Sequence, residues 1–167
     1  MPRIVFICTA NICRSPVAAA LFGEWLSKNK VPGDWRVESA GAWTQAGLPA
    51  STYTRELLAE RGLDLSEHRS RLLDAQMVES ADLMLCMTQS HREGILADFP
   101  TAAGRLFLLS AMAGPAYDID DPYGGPRAGY VEMIQEIEHL IEVGGPRILS
   151  LASHLSKSSS RAGANEK

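Results

Sequence analysis

Short apolar runs alternate with stretches of helical periodicity along this chain. Ile4-Val5-Phe6-Ile7 reads as a buried strand. It is followed by a helix from Pro16 to about Lys28, in which Val17, Leu21 and Trp25 recur every fourth residue on one face, with Leu26 beside them. Trp35 to Ala40 alternates weakly and predicts a second strand. Ser51 is placed to cap a helix through Leu57, Leu58 and Arg61, which Gly62 stops. A short helix is expected over Asp74–Ser80. Asp82 to Met87, apolar after its first residue, predicts a third strand covered on both faces. Thr88 or Ser90 caps a helix ending near Phe99-Pro100, and Arg105 to Leu109 predicts a fourth strand. Tyr130, Met133, Ile134, Ile137, Leu140 and Ile141 follow helical spacing closely. Gly144-Gly145-Pro146 is expected to break that helix, with one more over Arg147–Leu155.

This alternation predicts an α/β fold of three layers, a four-stranded parallel sheet with helices on both faces. Ligands on such sheets sit beyond the carboxyl ends of the strands, where the strand order reverses. The stretch from Ser110 to Gly129 is rich in Gly, Pro and Asp, and a loop of that length in a compact domain is usually functional. Residues 1–155 are expected to form one domain. From Ser156 the chain has almost nothing to bury, so 156–167 is expected to be a disordered tail.

Composition narrows the function classes. The 167 residues carry a net charge of -4, without the basic footprint of a nucleic-acid binder. No window is apolar enough for a membrane helix, and the apolar start is too short for a secretory signal. The expected setting is the cytoplasm, with no membrane or nucleic-acid partner. Three cysteines, an odd number without an export signal, point to free thiols, one of which could be reactive.

The chemistry concentrates between the first strand and the first helix, in Cys8-Thr9-Ala10-Asn11-Ile12-Cys13-Arg14-Ser15-Pro16. A buried Cys at a strand end is by itself usually a small hydrophobe. Here it stands with a short loop, an Arg, a hydroxyl and a helix start, which together form an anion site. Backbone N–H groups at a helix N-terminus point at a bound anion. The fork of Arg14 matches two phosphate oxygens, and the same field favours the thiolate of Cys8. Ser15 is placed to donate to that thiolate, and Asn11 suits a left-handed backbone position. The nucleotide-binding pattern G-x-x-x-x-G-K-[ST] is absent.

Phosphoryl transfer to sulfur requires an acid for the leaving oxygen. Asp118-Ile119-Asp120-Asp121-Pro122-Tyr123-Gly124-Gly125 offers three carboxylates, although acidic residues in such loops are commonly solvated turn formers.

With both motifs in view, residues 3 to 143 resemble the low-molecular-weight protein tyrosine phosphatases, on Cys-x5-Arg-Ser-Pro after the first strand and on Asp-Pro-Tyr late in the chain. The resemblance implies that Cys8 forms a thiophosphate, that Arg14 holds the equatorial oxygens, and that Asp121, the residue before Pro, is first acid and then base. It implies that Ser15 supports the thiolate, that Asn11 shapes the loop, and that His68 bonds Asn11. Tyr123 and Trp43 would flank a substrate ring in a cleft too deep for phosphoserine, and the run Leu85-Cys86-Met87 matches the family's third strand. Members can join thiols placed like Cys8 and Cys13 reversibly under oxidation; otherwise Cys13 is a packed thiol. Cys86 is expected to be inert. No metal or other cofactor is implied, because Arg14 and backbone amides meet the phosphate charge. The implied partners are phosphorylated proteins or peptides, with inorganic phosphate as product.

The chain departs from the family pattern at Ala10, usually Gly, and at Gly124, where many eukaryotic members have a second aromatic. Asp-Pro-aromatic-Gly-Gly also resembles the bacterial protein arginine phosphatase branch. That branch has Thr where this chain has Ile12, whose apolar side chain suits an aromatic ring. The expected substrate is therefore phosphotyrosine, with phosphoarginine as the alternative. A thiol-dependent arsenate reductase would need further cysteines to relay a disulfide, and downstream of the loop only Cys86 remains. A non-catalytic phosphopeptide-binding module would be expected to lack Cys8 or Asp121.

Overall fold

The structure, a computed structural model, describes residues 1–164. Four parallel strands, β1 (Arg3–Cys8), β2 (Arg36–Gly41), β3 (Leu83–Cys86) and β4 (Leu106–Leu108), lie in the order β2-β1-β3-β4. Ile4 pairs with Val37 on one side and Leu83 on the other. The chain leaves β1 toward β2 and then crosses to the opposite side for β3. The strand order therefore reverses beside β1, and a crevice opens beyond Cys8.

The period of two along β1 divides its side chains between two cores. Ile4, Phe6 and Cys8 face α1 (Arg14–Lys28), α2 (Thr52–Glu60) and α5 (Arg127–Ala164). Val5 and Ile7 face α3 (Ala75–Ser80) and α4 (Gln89–Asp98). On the first side Phe22 stacks on Trp25, with ring centroids 5.8 Å apart, and tilts against Phe6. Burying each ring stabilises the fold by roughly 1.5–3 kcal/mol. Arg3, Arg36 and Arg71 surround Glu38. Burial raises the Glu38 pKa, but the hydrogen bonds from Arg3 and Arg71 outweigh it and hold the carboxyl below its usual value.

Two expectations about the C-terminal third are corrected. α5 is continuous through Gly144-Gly145-Pro146. The glycines are there for close approach rather than as a stop. A Cβ at Gly145 would lie 2.5 Å from the indole of Trp25, and one at Gly144 would lie 2.9 Å from Cβ of Met112. Pro146 lies on the exposed side with Glu142, whose carbonyl loses its helical donor where water can replace it. The helix also runs on through 156–164, where the composition predicts a disordered tail; the last three residues of that tail lie outside the described residues. Among the described residues no helix is long and apolar enough to cross a membrane.

Candidate active site

Residues 8–15 wrap a cleft of about 310 Å³ between the end of β1 and the start of α1. The cleft is lined by Cys8, Thr9, Ala10, Ile12, Cys13, Arg14, Leu48, Asp121 and Tyr123. α1 has no side-chain cap and no acidic residue in its first turn, so no protein carboxylate competes for its N-terminal amides. A wider groove of about 710 Å³ behind the loop, between α1, β2 and residues 63–71, has charged walls and, among the described residues, no cysteine.

Asn11 is the keystone of the loop. Its φ is 58°, so the left-handed turn falls on an amide side chain. Ala10 has no positive φ, which explains why a methyl group is accepted where glycine is usual. Asn11 Nδ2 donates to Ser15 Oγ and Ser39 Oγ, both at 2.9 Å, and Oδ1 accepts from the Arg71 amide at 3.1 Å. His68 Nε2 donates to the Asn11 carbonyl at 2.7 Å. Burial holds the His68 imidazole below its ordinary pKa, although this bond pulls the other way. Gly41 at the end of β2 closes the loop from behind, since a Cβ there would lie 2.8 Å from Thr9 O.

Cys8 Sγ is 3.0 Å from Ser15 Oγ. That oxygen already accepts from Asn11, so its single proton is turned toward the sulfur, with Ala40 O a longer alternative at 3.3 Å. Arg14 is 3% exposed. Its Nη1 donates to Ile119 O at 2.7 Å, and its Nη2 reaches Thr9 Oγ1 and Asp121 Oδ2, both at 3.3 Å. Its Nε is buried and has no protein partner. A buried guanidinium N–H left unpaired at the wall of a cleft suits an anionic oxygen.

Asp121 lines the cleft, with its side chain 44% exposed. Its Oδ1 accepts from the Tyr123 amide at 3.2 Å. Gly125 N closes a turn onto Pro122 O around Gly124, whose φ of 79° excludes an aromatic residue at low cost. That turn leaves Tyr123 standing 68% exposed beside the cleft. Asp118 and Asp120 do not line the cleft, and Asp118 instead accepts from the Gln89 amide at 2.8 Å.

Trp43 was expected to wall the cleft and does not line it. Its ring lies against His91 and Gly94 instead. Leu48 lines the cleft with Tyr123; it has no motif of its own and escaped the sequence reading. His91 escaped it too, because Thr88-Gln-Ser-His91 reads only as a helix cap; its position just past β3, at the reversal of strand order, was the usable signal. Cys13 is buried, with Ser51 Oγ 3.4 Å and Tyr130 OH 3.9 Å from its sulfur. Burial raises its pKa against the pull of those hydroxyls. Burial pushes Cys86 up to about 12, which makes it a poor nucleophile. Among the described residues no group of His, Cys, Asp and Glu could hold a metal ion.

The model of a family described as low molecular weight phosphotyrosine protein phosphatase matches residues 3–143. A protein-arginine-phosphatase of Geobacillus stearothermophilus is 39% identical over 141 residues, 84% of this chain and 91% of its own. A probable low molecular weight protein-tyrosine-phosphatase, EpsP, of Ralstonia solanacearum is 36% identical over 148 residues, 89% of this chain and 97% of its own. The crystal structure of a low molecular weight protein tyrosine phosphatase from T. tengcongensis superposes with a TM-score of 0.79 at 35% identity, covering 85% of this chain and 96% of that one.

Proposed function

Because the chain belongs to the low molecular weight phosphotyrosine protein phosphatase family, we propose that it hydrolyses phosphotyrosine in proteins through a phosphocysteine at Cys8. One observation carries the assignment of the site. Arg14, whose buried Nε has no protein partner, lines the same cleft as Cys8 and Asp121. A phosphoryl group seated there meets Arg14 and the loop amides on its oxygens and Cys8 Sγ in line behind the phosphorus.

In the first step the sulfur attacks, the S–P bond forms and the P–O bond to the tyrosyl oxygen breaks. Asp121 gives that oxygen its proton. In the second step Asp121 takes a proton from water as the water oxygen bonds to phosphorus. The S–P bond breaks, and inorganic phosphate leaves. Ser15 donates to the sulfur at both ends of the cycle. No metal or other cofactor enters these steps. The three cysteines are free, which suits a reducing compartment, and we place the reaction in the cytoplasm on phosphorylated proteins or peptides.

The walls favour tyrosine. Ile12, Leu48 and Tyr123 are apolar or aromatic, and among the described residues Asp121 is the one carboxylate lining the cleft. A phosphoguanidinium would leave N–H groups against apolar walls, at about 1–3 kcal/mol for each unmade bond. Phosphoarginine is the second reading, supported by the 39% identical relative and its name. Parallel assays on phosphotyrosine and phosphoarginine peptides test the choice. The expected result is a higher kcat/KM on phosphotyrosine, and the reverse order would establish the second reading.

A further inference from the structure

One buried histidine has no part in the steps above. His91 stands in the first turn of α4, 2% exposed, with its backbone amide bonded to the Thr88 hydroxyl at 3.1 Å. Its Nε2 lies 2.8 Å from Thr9 Oγ1. Arg14 Nη2 donates to the same oxygen at 3.3 Å. The other ring nitrogen, Nδ1, is buried without a partner. Trp43 clamps the ring. Its indole is centred 5.8 Å from the imidazole and rests on Gly94, where a Cβ would come within 2.6 Å of it.

These contacts fix the direction of one proton. Burial, and after it the charge of Arg14, lower the His91 pKa to about 4, although Asp121 and Asp118 pull it upward. The ring is therefore neutral at ordinary pH and carries a single N–H. Placed on Nδ1, that N–H would be a buried donor with no acceptor. Placed on Nε2, it donates to Thr9 and leaves only a lone pair unmet, the cheaper arrangement. Thr9 Oγ1 then accepts twice, from His91 and from Arg14, and both its lone pairs are used. Its own proton has one tetrahedral direction left, and Thr9 lines the cleft beside Cys8.

We propose that His91 is a positioning residue, which by donating to Thr9 Oγ1 alongside Arg14 turns the Thr9 hydroxyl proton into the cleft as an extra hydrogen-bond donor to the phosphoryl oxygens of the transition state. The inference rests on the reading of the cleft as the site of phosphoryl transfer to Cys8. It also gives Trp43 a task, which is to hold His91 rather than to wall the substrate. A donor aimed where the phosphoryl oxygens lie in the transition state raises kcat more than it tightens ground-state binding.

The test is a cycle of Thr9→Val, His91→Phe and the double variant, with Thr9→Ser and His91→Gln as conservative partners. Each is assayed for kcat and KM on an aryl phosphate and for inhibition by vanadate, a transition-state mimic, and by inorganic phosphate. Each disruptive single variant should lower kcat and weaken vanadate about tenfold, short of the loss seen when a main oxyanion donor is removed. KM and phosphate inhibition should stay within about twofold. The double variant should be no worse than either single one, and Thr9→Ser and His91→Gln should recover most of the loss. Losses that multiply in the double variant, equal weakening of vanadate and phosphate, or wild-type kcat in Thr9→Val would each overturn the proposal. If His91→Phe shows no cooperative melting, the vanadate-to-phosphate ratio of Thr9→Val decides alone. Cys8→Ser, run beside them, separates the two claims. An inactive Cys8→Ser with a failed cycle removes only the role of His91, whereas an active Cys8→Ser removes the phosphocysteine itself.

Discussion

Arg14 and Asp121 meet at the mouth of the cleft, with Nη2 of the guanidinium 3.3 Å from Oδ2 of the carboxylate. The group proposed to hold phosphate oxygens thus also contacts the group proposed to handle the proton, although the residues come from α1 and from the loop before α5. Asp121→Asn keeps the contact and removes the transferable proton. Its kcat/KM on a phosphotyrosine peptide, which reports the first step, should fall by about 10²- to 10⁴-fold. On an aryl phosphate with a good leaving group the fall should be much smaller. Equal losses on both substrates would remove Asp121 as the acid.

Ile12 lines the cleft with Leu48 and Tyr123. Ile12→Thr adds a hydroxyl to an otherwise apolar wall. The ratio of kcat/KM on phosphoarginine to that on phosphotyrosine peptides should rise by about tenfold, in the range of a single pocket contact. An unchanged ratio would show that this wall does not select the substrate.

Asn11 joins its backbone strain to three side-chain bonds, to Ser15, Ser39 and Arg71. Asn11→Ala should lose about 2–4 kcal/mol in urea unfolding, from orphaned partners together with a left-handed alanine. Asn11→Gly relieves the second cost and should lose about 1–2 kcal/mol less. Equal losses would mean that the conformation itself costs nothing.

Trp25 and Gly145 leave no space for a methyl group between α1 and α5. Gly145→Ala improves helix propensity, yet it should destabilise the protein by about 1–3 kcal/mol through overpacking. A rise in Tm would show that the two helices adjust freely.

That contact shows where reading the sequence runs out. Gly144-Gly145-Pro146 carries the local signature of a helix end, and only the indole of Trp25, from a distant part of the chain, gives the glycines another purpose. The same holds in the site. Cys8, Arg14 and Ser15 could be proposed for one site because they share one short loop after an apolar run, whereas Asp121 was singled out from three carboxylates only by the family resemblance, as the residue before Pro122. Asn11 stood in that loop as well, and its left-handed backbone follows from its amide side chain. His91 and Leu48 were not legible. His91 reaches Thr9 across 82 residues of sequence, and Leu48 contributes only an apolar surface. Trp43 was singled out by the family resemblance as a substrate wall, but its direction is set by Gly94, which looks like any other helix residue until the indole is laid on it.

Burial lowers the pKa of two histidines, that of His91 to about 4 and that of His68 below its ordinary 6.5. Their folded values lie under the unfolded one, so the unfolded chain binds more protons between pH 6.5 and 4. Their contribution to stability is complete above pH 6.5 and declines as pH falls toward 4. The urea midpoint should therefore drop from pH 7 to pH 4.5, and His91→Gln should show a shallower drop. Parallel curves would mean that His91 titrates normally in the folded protein.

The phosphocysteine is the centre of this account, and a quenched-flow reaction with an aryl phosphate tests it most directly. A burst of phenol approaching one equivalent of enzyme is expected if hydrolysis of the intermediate is the slower step, and acid-quenched protein should carry one phosphoryl group on the peptide containing Cys8. Cys8→Ser should give neither steady turnover nor label at sulfur. Full turnover by Cys8→Ser, or a phosphoryl group on any other residue, would contradict the mechanism.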